Sequence, residues 1–176
     1  MDIIKEAFYF AASAHKAVGQ VRKHSKLPYI VHPLAVSQLI ASVSDDRKMI
    51  AASLLHDVEE DTLISLREIE MHFGEEIALL VDELSDKAKP SDGNRAERKA
   101  LDRERLKKVS YRAKSIKLAD MFDNMRDIVH HDPKFARVYL REKRLLLDEA
   151  LYDGHPKLIM HVDSLLRRSL DVIDAS

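Results

Sequence analysis

The 176-residue sequence has no cysteine and no tryptophan, and only four glycines and five prolines. Without cysteine the chain cannot form a disulfide, a zinc–thiolate site, an iron–sulfur cluster or a cysteine nucleophile. The scarcity of glycine and proline, together with 45% apolar and 34% charged residues, favours helices over a β-sandwich or barrel.

An excess of charge of either sign is also absent, because 29 basic and 30 acidic residues give a formal net charge of −1. Domains that bind duplex nucleic acid usually carry a basic excess, so we expect no nucleic-acid partner. The longest uncharged stretch, residues 27–44, is interrupted by Pro28, His32 and Pro33, and we expect no membrane span. The first residues lack the apolar core of a signal peptide, which predicts a cytoplasmic protein.

Apolar residues recur at helical spacing along almost the whole chain. This pattern predicts an all-α fold, a compact helical bundle in a single domain over residues 1–176. Asp45 or Asp46 can cap one helix, and Ser65 with Glu68 has the spacing of a capping box at the start of another. Residues 89–94 predict a mobile connection. The predicted helices span residues 3–17, 33–43, 47–56, 65–73, 75–85, 95–108 and 112–129, with two more that begin at Pro133 and Pro156.

The predicted apolar helix at residues 47–56 ends in a histidine and is followed by four carboxylates, in the order His56, Asp57, Glu59, Glu60, Asp61. An adjacent imidazole and carboxylate at a helix end can reach one cation. Acidic residues at a helix C-terminus oppose the helix dipole and therefore need a compensating reason. This string alone supports a metal site and an ordinary polar helix end about equally.

A second polar string lies within an apolar helix. Asp120, Asn124 and Asp127 are spaced i, i+4 and i+7 and therefore share one helix face. A carboxylate with an amide one turn away suits a metal ligand beside a group that orients substrate. The same spacing also suits a solvated stripe, and spacing alone favours that second interpretation.

A third string places His32 just before a helix, between Val31 and Pro33. A lone histidine in such a position is more often a core or capping residue than a metal ligand. Upstream, Arg22 and Lys23 put two cations in a loop, where they suit either a phosphate clamp or a solvated surface.

Together these strings resemble the HD superfamily of metal-dependent phosphohydrolases, whose signature corresponds here to His32, the pair His56-Asp57, and Asp120. Within that superfamily the chain looks most like the alarmone hydrolase domain of the RelA/SpoT enzymes and of the stand-alone small alarmone hydrolases related to the metazoan SpoT homologue. The resemblance covers about residues 3–145, and helices within 133–172 are expected to complete the bundle. Further matching strings are Arg22-Lys23, residues 28–33, Glu60-Asp61-Thr62, His72-Phe73-Gly74, Asn124 and Arg126-Asp127.

The resemblance implies a role for each matched residue. It implies one divalent metal ion held by four ligands, His32, His56, Asp57 and Asp120. It also implies that the catalytic acids are Glu60 and Asp61, and that the substrate contacts are Arg22, Lys23 and Asn124. A ligand set of nitrogen and oxygen suits Mn²⁺, Fe²⁺ or Zn²⁺, and the family implies Mn²⁺. A second group of basic residues suits either contact with the more distant phosphates of the substrate or exposure to solvent on a helix face. It comprises Arg137, Arg141, Lys143 and Arg144.

The implied activity is Mn²⁺-dependent hydrolysis of the 3′-diphosphate of guanosine 3′,5′-bis(diphosphate) and related alarmones, which releases pyrophosphate and GDP or GTP. One alternative keeps the metal site and changes the nucleotide to an adenosine alarmone, NADPH or a deoxynucleotide. Another is a non-catalytic alarmone-binding regulator, although the presence of Glu60 and Asp61 argues against it. Three stretches differ from the family pattern and bear on the base and the leaving group: residues 24–27, Asp123 and residues 84–87.

Overall fold

The computed structural model describes residues 2–126 and 128–174. Within these stretches the regular elements are helices, and the one β-type pairing is an isolated antiparallel bridge between Val21 and Pro28. This confirms the all-α prediction. The chain forms two compact units that divide after Ser85, and its organisation as a single domain stays a prediction.

In the first unit, three helices pack against a fourth, which is buried. The helices of this unit are α1 (Ile3–Ala17), α2 (Val31–Ala41), α3 (Arg47–Leu55), α4 (Val58–Asp61), α5 (Leu66–Phe73) and α6 (Glu75–Leu84). Every residue of α3 from Met49 to Leu55 is buried, and α1, α2 and α6 all pack against this helix. The small residues Ala7, Ala11 and Ala14 form the buried stripe of α1, which lets its backbone approach α3 closely.

Local capping interactions confirm the helix starts that the sequence predicts in this unit. The Asp46 carboxylate accepts hydrogen bonds from the backbone N–H groups of Lys48 and Met49 at 3.0 and 3.1 Å. The capping box of Ser65 and Glu68 is present. Gly74 separates α5 from α6 with a φ of 85°, a left-handed conformation that favours glycine.

The second unit contains another largely buried helix, at Tyr111–Met125. Its helices are α7 (Arg95–Leu106), α8 (Tyr111–Met125), α9 (Ile128–His131), α10 (Pro133–Leu146) and α11 (Pro156–Asp174), with a π-helical turn at Leu147–Leu151 after α10. Helix α11 turns an apolar stripe inward and packs against α8 and α10. Gly154 approaches α8 so closely that a Cβ atom there would lie 2.6 Å from Leu118 Cδ1.

The structure corrects one predicted helix boundary and adds two short elements that the sequence did not predict. The predicted helix over 112–129 is wrong at its C-terminal end, because α8 ends at Met125. There the Arg126 N–H bonds to the carbonyl of Asp123, three residues back, instead of continuing the α-helical ladder. The connection at 89–94 contains a 3₁₀ turn, Pro90–Asp92. Helix α4, which the sequence did not predict, carries part of the candidate site.

Charged residues of α7 form ion pairs with other segments of the second unit. Arg95 forms a two-pronged ion pair with Glu142 of α10 at 2.8 and 2.7 Å. Lys99 reaches Asp86 at 2.6 Å. These charges therefore attach α7 to the other segments of its unit. None of the helices in the described parts of the chain is long and apolar enough to cross a membrane.

Candidate metal centre and active site

The centre of the candidate site lies in the two-residue link between α3 and α4, which holds His56 and Asp57. The buried His56 ring has its Nδ1 atom 2.8 Å from the carbonyl oxygen of Ser53. Because a carbonyl only accepts, Nδ1 carries the proton and Nε2 offers a lone pair. Nε2 lies 3.1 Å from Oδ2 of Asp57. Two lone pairs at this separation repel each other unless a cation or a proton lies between them.

His32, in the first turn of α2, completes a cluster of three. Its buried ring lies 5.2 Å from that of His56, centroid to centroid, and its Nε2 atom lies 3.6 Å from Asp57 Oδ2. One ligand atom from each residue lies within 4.8 Å of the others. Two imidazole nitrogens and one carboxylate oxygen form a donor set that can hold a divalent metal ion. The structure thus brings together three of the four predicted metal ligands.

Tyr29 supports this cluster and was not predicted to do so. Its hydroxyl donates a hydrogen bond of 2.6 Å to Asp57 Oδ2. Its ring also contacts His32 at a centroid distance of 5.8 Å. Groups that hydrogen-bond a metal-binding carboxylate orient it and tune its affinity for the ion. In the sequence only proximity to His32 hinted at this role, because the bond joins residues 28 positions apart.

The predicted catalytic acids Glu60 and Asp61 lie on α4, and both side chains are exposed. The Asp61 N–H bonds to the Asp57 carbonyl at 3.0 Å, so the two acids stand about one helical turn beyond Asp57. Asp61 accepts a hydrogen bond of 2.8 Å from the side-chain amide of Gln20. This arrangement places carboxylates on the helix that starts directly after the metal-ligand cluster.

The predicted substrate residues Arg22 and Lys23 lie in a loop, as expected, and this loop is a tight hairpin. The N–H of Arg22 bonds to the carbonyl of Leu27 at 2.9 Å, beside the bridge between Val21 and Pro28. Lys26 has a φ of 59°, in the left-handed region that favours glycine. Arg22 is half-buried and Lys23 is exposed.

The remaining predicted site residues belong to the second unit. Asp120 on α8 is buried, so it is not part of a solvated stripe. It accepts a hydrogen bond of 2.5 Å from Asn124 and lies 3.1 Å from the Lys117 ammonium. The adjacent amide that the i, i+4 spacing predicted is therefore present. Asp127 lies outside the described residues.

The four residues of the predicted basic cluster on α10 do not act as one group. Arg137 pairs with Asp174 at 2.9 Å, and Arg144 pairs with Asp148 and Asp163. Lys143 instead lines a cavity with Lys99, Lys117 and several acidic residues. Burial, together with the neighbouring Lys117 charge, lowers the pKa of Lys143 to about 8. Most of this cluster thus serves contacts within the second unit.

The chain is similar in sequence and in fold to known proteins. The family model of the HD domain matches residues 7–146. The chain belongs to the HD-domain family. This HD-domain protein is 40% identical over 136 residues to guanosine-3′,5′-bis(diphosphate) 3′-pyrophosphohydrolase MESH1 of Xenopus tropicalis, a match that covers 75% of the chain and 73% of the relative.

Two further relatives differ greatly in length. The protein is 39% identical over 133 residues to human MESH1, with 73% of the chain and 71% of the relative covered. It is also 39% identical over 145 residues to a probable 3′-pyrophosphohydrolase of guanosine-3′,5′-bis(diphosphate) from Synechocystis; that match covers 81% of the chain but only 19% of the relative.

A solved structure extends the similarity beyond the aligned sequence. It is that of a metazoan orthologue of SpoT that hydrolyses ppGpp. The TM-score is 0.85 at 32% identity, with 96% of each chain covered. The HD-type helical fold expected from the sequence is therefore confirmed.

Proposed function

We propose that this protein is a metal-dependent 3′-pyrophosphohydrolase of guanosine 3′,5′-bis(diphosphate) and related alarmones. The observation that carries the proposal is the cluster of His32, His56 and Asp57 in a chain that is 40% identical to a named enzyme of this activity. In the reaction, water adds to the phosphorus bonded to the 3′ oxygen of the ribose. The bond from that phosphorus to the 3′ oxygen breaks, the 3′ oxygen takes up a proton from the water, and pyrophosphate and GDP or GTP leave.

The metal ion in this proposal is Mn²⁺, held by His32, His56, Asp57 and Asp120. Because Nδ1 of His56 donates its proton to the carbonyl of Ser53, the lone pair of Nε2 is available to bind a metal ion. Asp120 as fourth ligand rests on the resemblance of its string to the family pattern. When bound, the ion would neutralise phosphate charge and lower the pKa of a coordinated water.

Glu60 and Asp61 are proposed to accept the proton of the attacking water and to orient that water. Their exposure on α4 keeps both carboxylates accessible to a ligand. Proton transfer from water needs a base within hydrogen-bond reach, about 2.6–3.2 Å. Because α4 begins directly after Asp57, the backbone of both acids lies about one helical turn from that member of the metal-ligand cluster.

Arg22, Lys23 and Asn124 are proposed as substrate contacts. A guanidinium can stack on a purine while its edge bonds phosphate, which suits the half-buried Arg22. The exposed Lys23 would face the phosphates as a point charge. Asn124 is already oriented by its bond to Asp120, so its remaining polar groups can position a ligand.

The decisive experiment incubates the purified protein with Mn²⁺ and a nucleotide panel and separates the products by anion exchange. The panel contains guanosine and adenosine alarmones, NADPH and a deoxynucleoside triphosphate. We expect pyrophosphate from the guanosine 3′-diphosphates and no comparable turnover of the others. Release of phosphate from NADPH instead would identify a different substrate at the same centre. Binding of alarmone without any product would identify a regulator.

A further inference from the structure

A side-chain amide connects a buried histidine of helix α1 to one of the proposed catalytic acids. Gln20 lies just after α1, and its Oε1 atom is 2.6 Å from Nδ1 of His15. Its Nε2 atom donates a hydrogen bond of 2.8 Å to Oδ2 of Asp61. The two contacts use opposite ends of one amide, so they hold it in a single orientation.

The chemistry of Asp61 and His15 determines which end of the Gln20 amide faces each of them. A carboxylate oxygen only accepts hydrogen bonds, so the NH₂ group of Gln20 must face Asp61. The amide oxygen then faces His15, and Nδ1 of His15 must carry a proton. Burial lowers the pKa of His15 below its ordinary value, which keeps the ring neutral with its single proton available for this bond.

The surroundings of His15 and Gln20 hold the amide in place. His15 is almost fully buried on α1, and its ring contacts that of Tyr29 at a centroid distance of 4.7 Å. The backbone of Gln20 is also anchored, because its N–H bonds to the His15 carbonyl at 3.0 Å. Tyr29 in turn donates to Asp57. The same buried imidazole therefore supports both the amide that reaches Asp61 and the tyrosine that reaches a metal-ligand candidate.

We propose that Gln20 is a positioning residue for Asp61 and that His15 determines the orientation of its amide. This inference rests on the proposed function, in which Asp61 acts on the attacking water. Asp61 is exposed on a helix of four residues, where the hydrogen bond from Gln20 restricts its rotamers. A misplaced catalytic group can cost up to about 100-fold in rate.

The first test replaces Gln20 with leucine, which is similar in size and cannot donate. We expect kcat to fall about 10- to 100-fold, while KM and the bound metal content stay within twofold of wild type. Gln38→Leu is the matched control, because Gln38 is exposed on α2, and it should retain wild-type kinetics. Unchanged kcat in Gln20→Leu, with the wild type active, would overturn the proposal.

The second test measures how the activity of Gln20→Glu, relative to wild type, depends on pH. An ionised glutamate turns an accepting oxygen toward Asp61, whereas a protonated one can donate as the amide does. The activity of this variant relative to wild type should therefore rise as the pH is lowered. A ratio that does not change with pH contradicts donation from residue 20.

A pair of His15 variants separates positioning from packing. Asparagine can place a donor near the position of Nδ1 but leaves space behind it, whereas leucine fills the space and cannot donate. Positioning predicts that His15→Asn has several-fold higher kcat than His15→Leu although it melts at lower temperature. Packing alone predicts that activity follows melting temperature, and that result would exclude the role of His15.

A measurement without substrate keeps the contact testable if the wild type hydrolyses no alarmone. The side-chain NH₂ resonances of Gln20 should shift on Asp61→Ala and exchange faster with solvent, whereas those of Gln38 should not change. If the wild type is inactive but these shifts occur, the proposed function fails and the contact stands. If the resonances are unaffected, Gln20 does not position Asp61.

Discussion

The two compact units of the chain bury charged and polar side chains in different ways. In the second unit a buried charge faces its opposite: Lys114 contacts both oxygens of Asp153 at 2.9 Å. In the first unit His32, His56 and Asp57 bring three electron-pair donors to within 4.8 Å of one another. Opposite charges neutralise each other within the protein, whereas converging donors suit a cation. Burial of charge alone therefore does not identify a functional site; the sign of the neighbours does.

The largest effect should follow from breaking the donor cluster in the first unit. His56→Ala removes one ligand atom, so we expect loss of bound metal and a fall in activity of about 1,000-fold or more. Metal analysis and steady-state kinetics measure both. Glu60→Gln serves as the control, since it should lose activity and keep the metal. Loss of metal in that variant would move Glu60 into the ligand set.

A smaller effect should follow from removing the support of that cluster. Tyr29→Phe deletes the hydroxyl that donates to Asp57 and retains the ring that packs on His15 and His32. We expect metal affinity to fall about 10- to 100-fold, as measured by competition with a chelator. Equal affinities of the two proteins would show that Asp57 needs no support from this bond.

The ion pair of Lys114 and Asp153 in the second unit should respond asymmetrically. Asp153→Ala leaves a buried ammonium without its carboxylate, and we expect about 2 kcal/mol of lost stability. Lys114→Met leaves Asp153, whose side chain is about half exposed, in contact with water, so its cost should be smaller. Urea unfolding compares the two variants, and neither should change metal content. Equal costs would contradict the assignment of Lys114 as the buried partner.

The smallest effect concerns Lys143, whose pKa burial lowers to about 8. The ordinary pKa of a lysine is about 10.4. Between about pH 8 and this value, the unfolded chain binds more protons at Lys143 than the folded one, so the contribution of Lys143 to stability rises with pH. Lys143→Met should therefore stabilise the protein at pH 7 by about 1–2 kcal/mol, and less at pH 10. Thermal unfolding at both pH values measures this difference. A pH-independent gain would show that Lys143 is not desolvated.

Much of the fold was predictable because its signals are local. The capping box of Ser65 and Glu68 and the cap at Asp46 involve groups within three residues of each other. The end of α8 and the short helix α4 were not predicted, because neither carries a glycine or proline at its boundary. The interhelical pairs of α7 were also missed, since charge spacing along one helix says nothing about partners such as Glu142.

The candidate site was predictable to a similar degree. Its ordered strings identified His32, His56 and Asp57, which the structure brings together. The supporting residues escaped notice because their bonds are long-range: Tyr29 and Asp57 are 28 positions apart, and Gln20 and Asp61 are 41 apart. An isolated tyrosine or glutamine carries no sign of such a partner.

The sequence by itself determined the helical class, most helix starts and the residue types of a metal-dependent phosphohydrolase, since periodicity, caps and motifs are read within a few residues. Only the tertiary structure decided that His15 is buried and that its Nδ1 atom lies 2.6 Å from the side-chain oxygen of Gln20. It also decided that the hydroxyl of Tyr29 faces Asp57. The physical reason is that burial and hydrogen-bond direction depend on the atoms that folding brings close from distant positions in the chain.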